Sequence, residues 1–197
     1  MKLKTNILLE DGPIVFSANT SWYLYNFRAT SIKAALETGH EVFCLAKKDK
    51  HSVALESMGA KFISLPIRKS GMNPVSELKL IFSLFLILKR LSPIVIFNFT
   101  VKNNLYGSIA SKLLGFKCVN NISGLGTGII SNSVATIFIK TLYKMTKNFP
   151  MHTHVQNEDD FEFMMTNNLI NKSRASVIPG SGVDLNYFHP KYISSNR

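Results

Sequence analysis

The residues of this sequence that could do chemistry gather in short polar runs. Each run follows directly on an apolar, strand-like run. The first is Ser17-Ala18-Asn19-Thr20-Ser21-Trp22, with Asn26 and Arg28 one to two helical turns further on. Free N–H groups at a helix start make an anion site, and a guanidinium beside them adds charge. The competing reading makes Ser21 an N-cap, Trp22 and Tyr25 core residues and Arg28 a solvated charge. The second run is Thr100-Val101-Lys102-Asn103-Asn104. It offers a hydroxyl, an ammonium and two amides for a polar ligand. Alternatively, Asn103 or Asn104 caps the next helix and Lys102 is a surface charge.

The third run, Asn120-Asn121-Ile122-Ser123-Gly124-Leu125-Gly126-Thr127-Gly128, carries alternate glycines that let backbone approach a ligand closely. Its G-x-G-x-G spacing after a late strand is not the dinucleotide fingerprint, so a nicotinamide or flavin cofactor is rejected. A flexible loop is the plain alternative. The fourth run is Gln156-Asn157-Glu158-Asp159-Asp160. Acids in a first helical turn suit the helix dipole, which accounts for Asp159 and Asp160. Gln156, Asn157 and Glu158 sit closer to the strand end, where a polar ligand would lie. No Ser-His-Asp arrangement, P-loop or metal-ligand spacing is present. His152 and His154 alternate on one strand, too few for a metal site.

These runs need a frame that brings strand ends together. Strands are expected at about 13–18, 41–46, 61–65, 93–99, 117–122, 152–157 and 175–178. Helices are expected at about 22–38, 51–58, 74–91, 103–114, 133–148 and 158–167. Several strands are continuous apolar runs, the mark of a parallel sheet covered on both faces. The alternation gives an α/β, Rossmann-like doubly wound fold, whose ligands bind beyond the carboxyl ends of the strands. The stretch from Glu77 to Leu91 is apolar nearly all round. It is either buried between the sheet and its neighbours, or packed on one face and dipping into a membrane interface on the other.

Composition narrows the partners. The chain has 197 residues, 46% hydrophobic, 18% charged, with net charge +11. The basic balance points to anionic partners, phosphate groups or a membrane surface. The bases are spread along both halves without a nucleic-acid motif, so nucleic acid is disfavoured. The longest apolar run, Leu80 to Leu88, has about half the length of a membrane-spanning helix. Cys44 and Cys118 read as buried thiols, in keeping with a reducing cytoplasm.

Four segments in this order resemble the amino-terminal domain of family 4 glycosyltransferases. They centre on Asn26-Phe27-Arg28, Gly124-Leu125-Gly126, Gln156-Asn157-Glu158-Asp159 and Gly180-Ser181-Gly182-Val183-Asp184. Within the family they resemble the bacterial enzymes that build O-antigen, capsule or protein-linked glycans on undecaprenyl diphosphate. The resemblance implies one half of a GT-B fold, with residues 1–178 as the acceptor domain and 179–197 as the crossing segment and tail. On this reading Gly180, Ser181, Gly182 and Asp184 would belong to that segment, and the donor domain that would follow is expected to be absent.

The resemblance also implies roles. Asn19, Trp22, Asn26, Arg28, Thr100, Lys102 and Asn104 would line the acceptor side. Gly124, Leu125 and Gly126 would form a cleft loop near the transferred sugar, and Asn157 and Glu158 would be polar cleft residues. No catalytic base, metal or cofactor is implied. The implied reaction is retaining transfer of a hexose or N-acetylhexosamine from a UDP-sugar to a lipid-linked sugar. It would occur at the cytoplasmic, inner face of the plasma membrane, with the chain inactive alone. A non-catalytic acceptor-binding subunit of a split enzyme, or an inactive remnant, are the alternatives.

Overall fold

A computed structural model describes residues 11–67, 73–125, 129 and 133–182. Seven strands form one sheet: β1 (Ile14–Thr20), β2 (Val42–Lys47), β3 (Lys61–Ser64), β4 (Val95–Phe99), β5 (Lys117–Ile122), β6 (His152–Val155) and β7 (Ala175–Val177). Every pairing is parallel, in the order β3-β2-β1-β4-β5-β6-β7. The order reverses direction beside β1, so the crevice beyond the carboxyl ends of β1 and β4 is the topological switch point.

Among the described residues lie the helices α1 (Ser21–Glu37), α2 (Ser52–Ser57), α3 (Pro74–Leu91), α4 (Val101–Leu114), α5 (Val134–Thr146) and α6 (Glu158–Thr166). Leu24 and Ile32 of α1 and Leu55 of α2 share one core layer with Phe16, Val42 and Cys44. Leu80, Leu84 and Leu88 of α3, Leu105 of α4 and Met164 of α6 share the opposite layer with Val15, Leu45 and Ile96. Neighbouring strand residues thus face opposite layers, and both faces are apolar. This is why several of the strands read as unbroken hydrophobic runs.

Local chemistry sets the helix ends. Asn73 Oδ1 accepts from the N–H of Val75, with Pro74 in the first turn of α3. Gly115 closes α4 at φ 79°. Asn157 Oδ1 accepts from Asp160 N at 2.7 Å and starts α6, which is why β6 stops at Val155 and not at 157. The start of α4 is also earlier than expected. Thr100 occupies the cap position at φ 70°, ψ 152°, a region costly for a residue with a Cβ. Neither Asn103 nor Asn104 is the cap.

Of the two readings of α3, burial all round is overturned, and one face alone packs on the sheet. Only Glu77, Leu80, Leu84 and Leu88 are buried. Val75, Leu78, Phe82 and Leu86 stay exposed, at 75, 66, 62 and 48%. They recur at helical spacing and form one apolar stripe, with Lys79, Lys89 and Arg90 also exposed. No helix among the described residues is long and apolar enough to cross a membrane.

Candidate functional site

The polar side chains that meet at the strand ends are organised around Arg28. Its place on α1 is fixed by Leu24 and Ile32, both fully buried on the same helix. Arg28 itself is only 6% exposed. Its Nη2 donates to Tyr23 Oη at 2.9 Å, to Asn121 Oδ1 at 3.3 Å and to Ser123 Oγ at 3.4 Å. The guanidinium carbon lies 4.5 Å from the centre of the Phe99 ring and 5.6 Å from that of Tyr23. Tyr23 and Ser123 share a hydrogen bond between their hydroxyls. Gln156 Nε2 donates to Asn121 Oδ1 at 3.0 Å and to Ser181 Oγ at 3.2 Å. The network therefore joins α1, the ends of β4, β5 and β6, and the segment after β7.

Among the described residues no carboxylate pairs with Arg28, and its buried Nε has no hydrogen-bond partner. A buried cation is ordinarily paired, because taking a charge out of water is costly. Here only neutral oxygens and aromatic faces meet it. The arrangement retains the capacity to bind an anion through charge-assisted hydrogen bonds. Arg28 also lines a groove of about 510 Å³ between Ala34 and Ala35 of α1 and Phe97 and Val119 of the sheet.

The start of α1 is not an open anion site. Thr20, not Ser21, is the N-cap, accepting from Tyr23 N at 3.2 Å. Asp49 Oδ2 accepts from Trp22 N at 2.9 Å, so the chain supplies its own anion there. Burial alone would raise the Asp49 pKa. Hydrogen bonds from the Ser21 hydroxyl, the His51 and Trp22 N–H groups and the His51 ring overcome this and hold it at about 2. Trp22 and Tyr25 are not core residues, remaining 48 and 36% exposed. Asn19 and Asn26 are exposed beside them, and Asn26 Nδ2 donates to Trp22 O at 2.8 Å.

The second polar run is drawn into the structure. Lys102 is no solvated charge: its Nζ donates to Glu77 Oε1 at 2.6 Å, tying α4 to α3. Tyr106 Oη donates to Glu77 Oε2 at 2.8 Å, and burial followed by the Glu77 charge pushes the phenol pKa up. Thr100 Oγ1 donates to Asn103 Oδ1 at 3.1 Å. Asn104 is 1% exposed and its Nδ2 donates to the Asn121 carbonyl at 3.1 Å.

Gly124 is exposed after β5, and Leu125 is 5% exposed. Gly126 and Asp184 lie outside the described residues. Asn157 is the α6 cap, with Glu158 exposed in its first turn. Gly180 and Gly182 adopt φ of 56° and 66° on either side of Ser181.

Thus Arg28, Gln156 and Ser181 are brought into one network, Asn104 touches it through the Asn121 carbonyl, and Lys102 is paired elsewhere with Glu77. Tyr23 was not named from the sequence, and Asn121 and Ser123 stood in the third run without a role of their own. Their signal was position: each lies at, or within three residues of, a strand end.

A family model described as glycosyl transferase 4-like matches residues 13–151. A Campylobacter jejuni protein, N,N'-diacetylbacillosaminyl-diphospho-undecaprenol alpha-1,3-N-acetylgalactosaminyltransferase, is 29% identical over 189 residues. That match covers 93% of this chain and 50% of the relative. A glycosyltransferase from Rickettsia africae superposes with TM-score 0.67 at 14% identity, over 94% of this chain and 47% of its own. Anabaena HepE, solved with UDP and glucose, superposes with TM-score 0.63 at 12% identity, over 89% of this chain and 46% of its own. The chain therefore spans about half the length of these relatives. The fold is the Rossmann-like α/β half of a GT-B arrangement.

Proposed function

Because the chain belongs to the glycosyl transferase 4-like family, we propose that it forms the acceptor-binding half of a sugar transferase. Residues 1–178 are the acceptor domain and 179–197 the crossing segment. The acceptor is a sugar on undecaprenyl diphosphate. The donor is a UDP-linked hexose or N-acetylhexosamine, held by residues other than these 197.

The observation that carries the reading is Arg28: a buried guanidinium, uncompensated by any carboxylate among the described residues, at the carboxyl ends of the strands. It holds the acceptor's diphosphate. In the transfer, the bond from the sugar's anomeric carbon to UDP breaks and a bond to the acceptor oxygen forms, with retention. The acceptor's proton passes to the leaving diphosphate. This half contributes by orienting the acceptor hydroxyl and excluding water.

A lipid-linked acceptor places the protein at a membrane. The exposed stripe of Val75, Leu78, Phe82 and Leu86, flanked by Lys79, Lys89 and Arg90, supports peripheral docking on the anionic inner face of the plasma membrane. The whole reading is tested by titrating the chain with a detergent-solubilised undecaprenyl-diphosphate-linked sugar, with UDP-sugars present. Binding without turnover is expected. Turnover by the chain alone, or no binding, contradicts it.

A further inference from the structure

We propose that the exposed aromatic residues at the start of α1, centred on Trp22, are the platform on which the acceptor's sugar ring rests; this deepens the acceptor-site reading and rests on it. Trp22, Tyr25 and Phe27 keep 48, 36 and 42% of their surface exposed. Single exposed hydrophobic residues are ordinary, but a contiguous group beside a ligand crevice marks a binding surface.

Trp22 and Phe27 are connected, while the Tyr25 ring meets His51 with centroids 5.6 Å apart. The Trp22 ring meets Phe27 edge-on, with centroids 5.4 Å apart. Phe27 meets Tyr23 at 5.2 Å, and Tyr23 lies 5.6 Å from the Arg28 guanidinium carbon. One surface thus leads from an open indole to a buried cation whose Nε has no partner. The backbone that carries Trp22 is held in place: its main-chain N–H donates to Asp49 Oδ2 at 2.9 Å and its carbonyl accepts from Asn26 Nδ2 at 2.8 Å. The indole itself is met by the edge-on Phe27 ring. A backbone fixed before binding removes part of the freedom otherwise lost when a ligand arrives.

The two ends require different chemistry. Arg28 takes an anion. The aromatic faces are the negative poles of their quadrupoles and take a flat, apolar, weakly electropositive surface. A pyranose ring presents such a surface through its axial C–H bonds. Inorganic phosphate lacks the flat face, and a free hexose lacks the charge. A pyranose carrying a diphosphate on its anomeric carbon supplies both.

Trp22 is the chain's only tryptophan, so its emission reports on the platform directly. The 197-residue chain is titrated with farnesyl-diphosphate-linked N-acetylglucosamine, farnesyl diphosphate and UDP. The sugar-bearing lipid is expected to change Trp22 emission and to bind about tenfold tighter than farnesyl diphosphate, the scale of one good aromatic contact. By calorimetry, Trp22→Ala loses that advantage and Trp22→Phe keeps most of it, both melting as the wild type does. The proposal is overturned by equal affinity for the two lipids in the wild type. It is also overturned if the advantage survives Trp22→Ala, or if UDP changes the emission at lower concentration than the sugar lipid. Arg28→Ala separates the two levels: unchanged affinity for farnesyl diphosphate would overturn the acceptor-site reading beneath the platform, and the platform with it.

Discussion

The guanidinium carbon of Arg28 lies 4.5 Å from the centre of the Phe99 ring, so the charge of α1 is met at the end of β4 by an aromatic face and not by a carboxylate. Such a contact stabilises a desolvated cation by about 2 kcal/mol, well short of the several kcal/mol that burial of an ion costs. The remainder is lowered by the neutral oxygens of Tyr23, Asn121 and Ser123. An arriving anion would complete the compensation. The arrangement is therefore better suited to binding than to stability.

Asp49 gives the fold a predictable acid lability. Its folded pKa of about 2 lies below the ordinary carboxylate value of 3.8. Its stabilising contribution is therefore full above about pH 4 and is lost as the pH falls through 2. The wild type should melt above Asp49→Asn at pH 6, and the gap should close by pH 2. A gap that is constant with pH would contradict the hydrogen-bonded carboxylate at the start of α1.

Gly107 is required by packing. A Cβ added there would lie 2.2 Å from Asn98 Oδ1. Asn98 is fully buried and its Nδ2 donates to Asn120 Oδ1 at 3.0 Å. Helix propensity alone would make Gly107→Ala stabilising by up to about 1 kcal/mol. Overpacking costs about 1–3 kcal/mol and should win. Urea denaturation should show a lower midpoint for Gly107→Ala. A higher midpoint would mean that α4 can lift from β4 without penalty.

Membrane docking through α3 is expected to be electrostatic as well as apolar. The chain should float with anionic vesicles, less so at high salt. The pair Lys89→Glu with Arg90→Glu should weaken flotation strongly, since each basic residue near the surface is worth about 1 kcal/mol. Phe82→Ser should weaken it at all salt concentrations. Equal flotation of wild type and the charge-reversed pair on anionic and neutral vesicles would contradict docking by this helix.

The frame was legible in the sequence because its signals are local. Strand-like runs marked all seven strands, several of them continuously apolar, and Asn73-Pro74 and Gly115 marked ends of α3 and α4. What was not legible depends on residues far apart in the chain. Asp49 closes the start of α1 across 27 positions, so that helix looked open to an anion. Glu77 takes up Lys102 across 25 positions, so the lysine looked solvated. The exposed face of α3 was hidden for a different reason. An all-apolar helix carries no record of which side its neighbours cover, and burial on Leu80, Leu84 and Leu88 had to come from packing. Arg28 lay between the two cases: its place after a strand marked it, while its burial and its neutral partners became visible only in the fold.

The central claim is that Arg28 is an anion receptor for a lipid diphosphate, and calorimetric titration of wild type and Arg28→Ala with farnesyl diphosphate tests it most directly. A charge-assisted hydrogen-bonded contact of about 1.5–3 kcal/mol corresponds to an affinity loss on the order of 10- to 100-fold. Loss of that size is predicted, with the melting temperature of Arg28→Ala unchanged or raised, because an uncompensated buried cation is removed. Equal affinity of the two proteins, or a variant that binds less only because it no longer folds, would contradict the account.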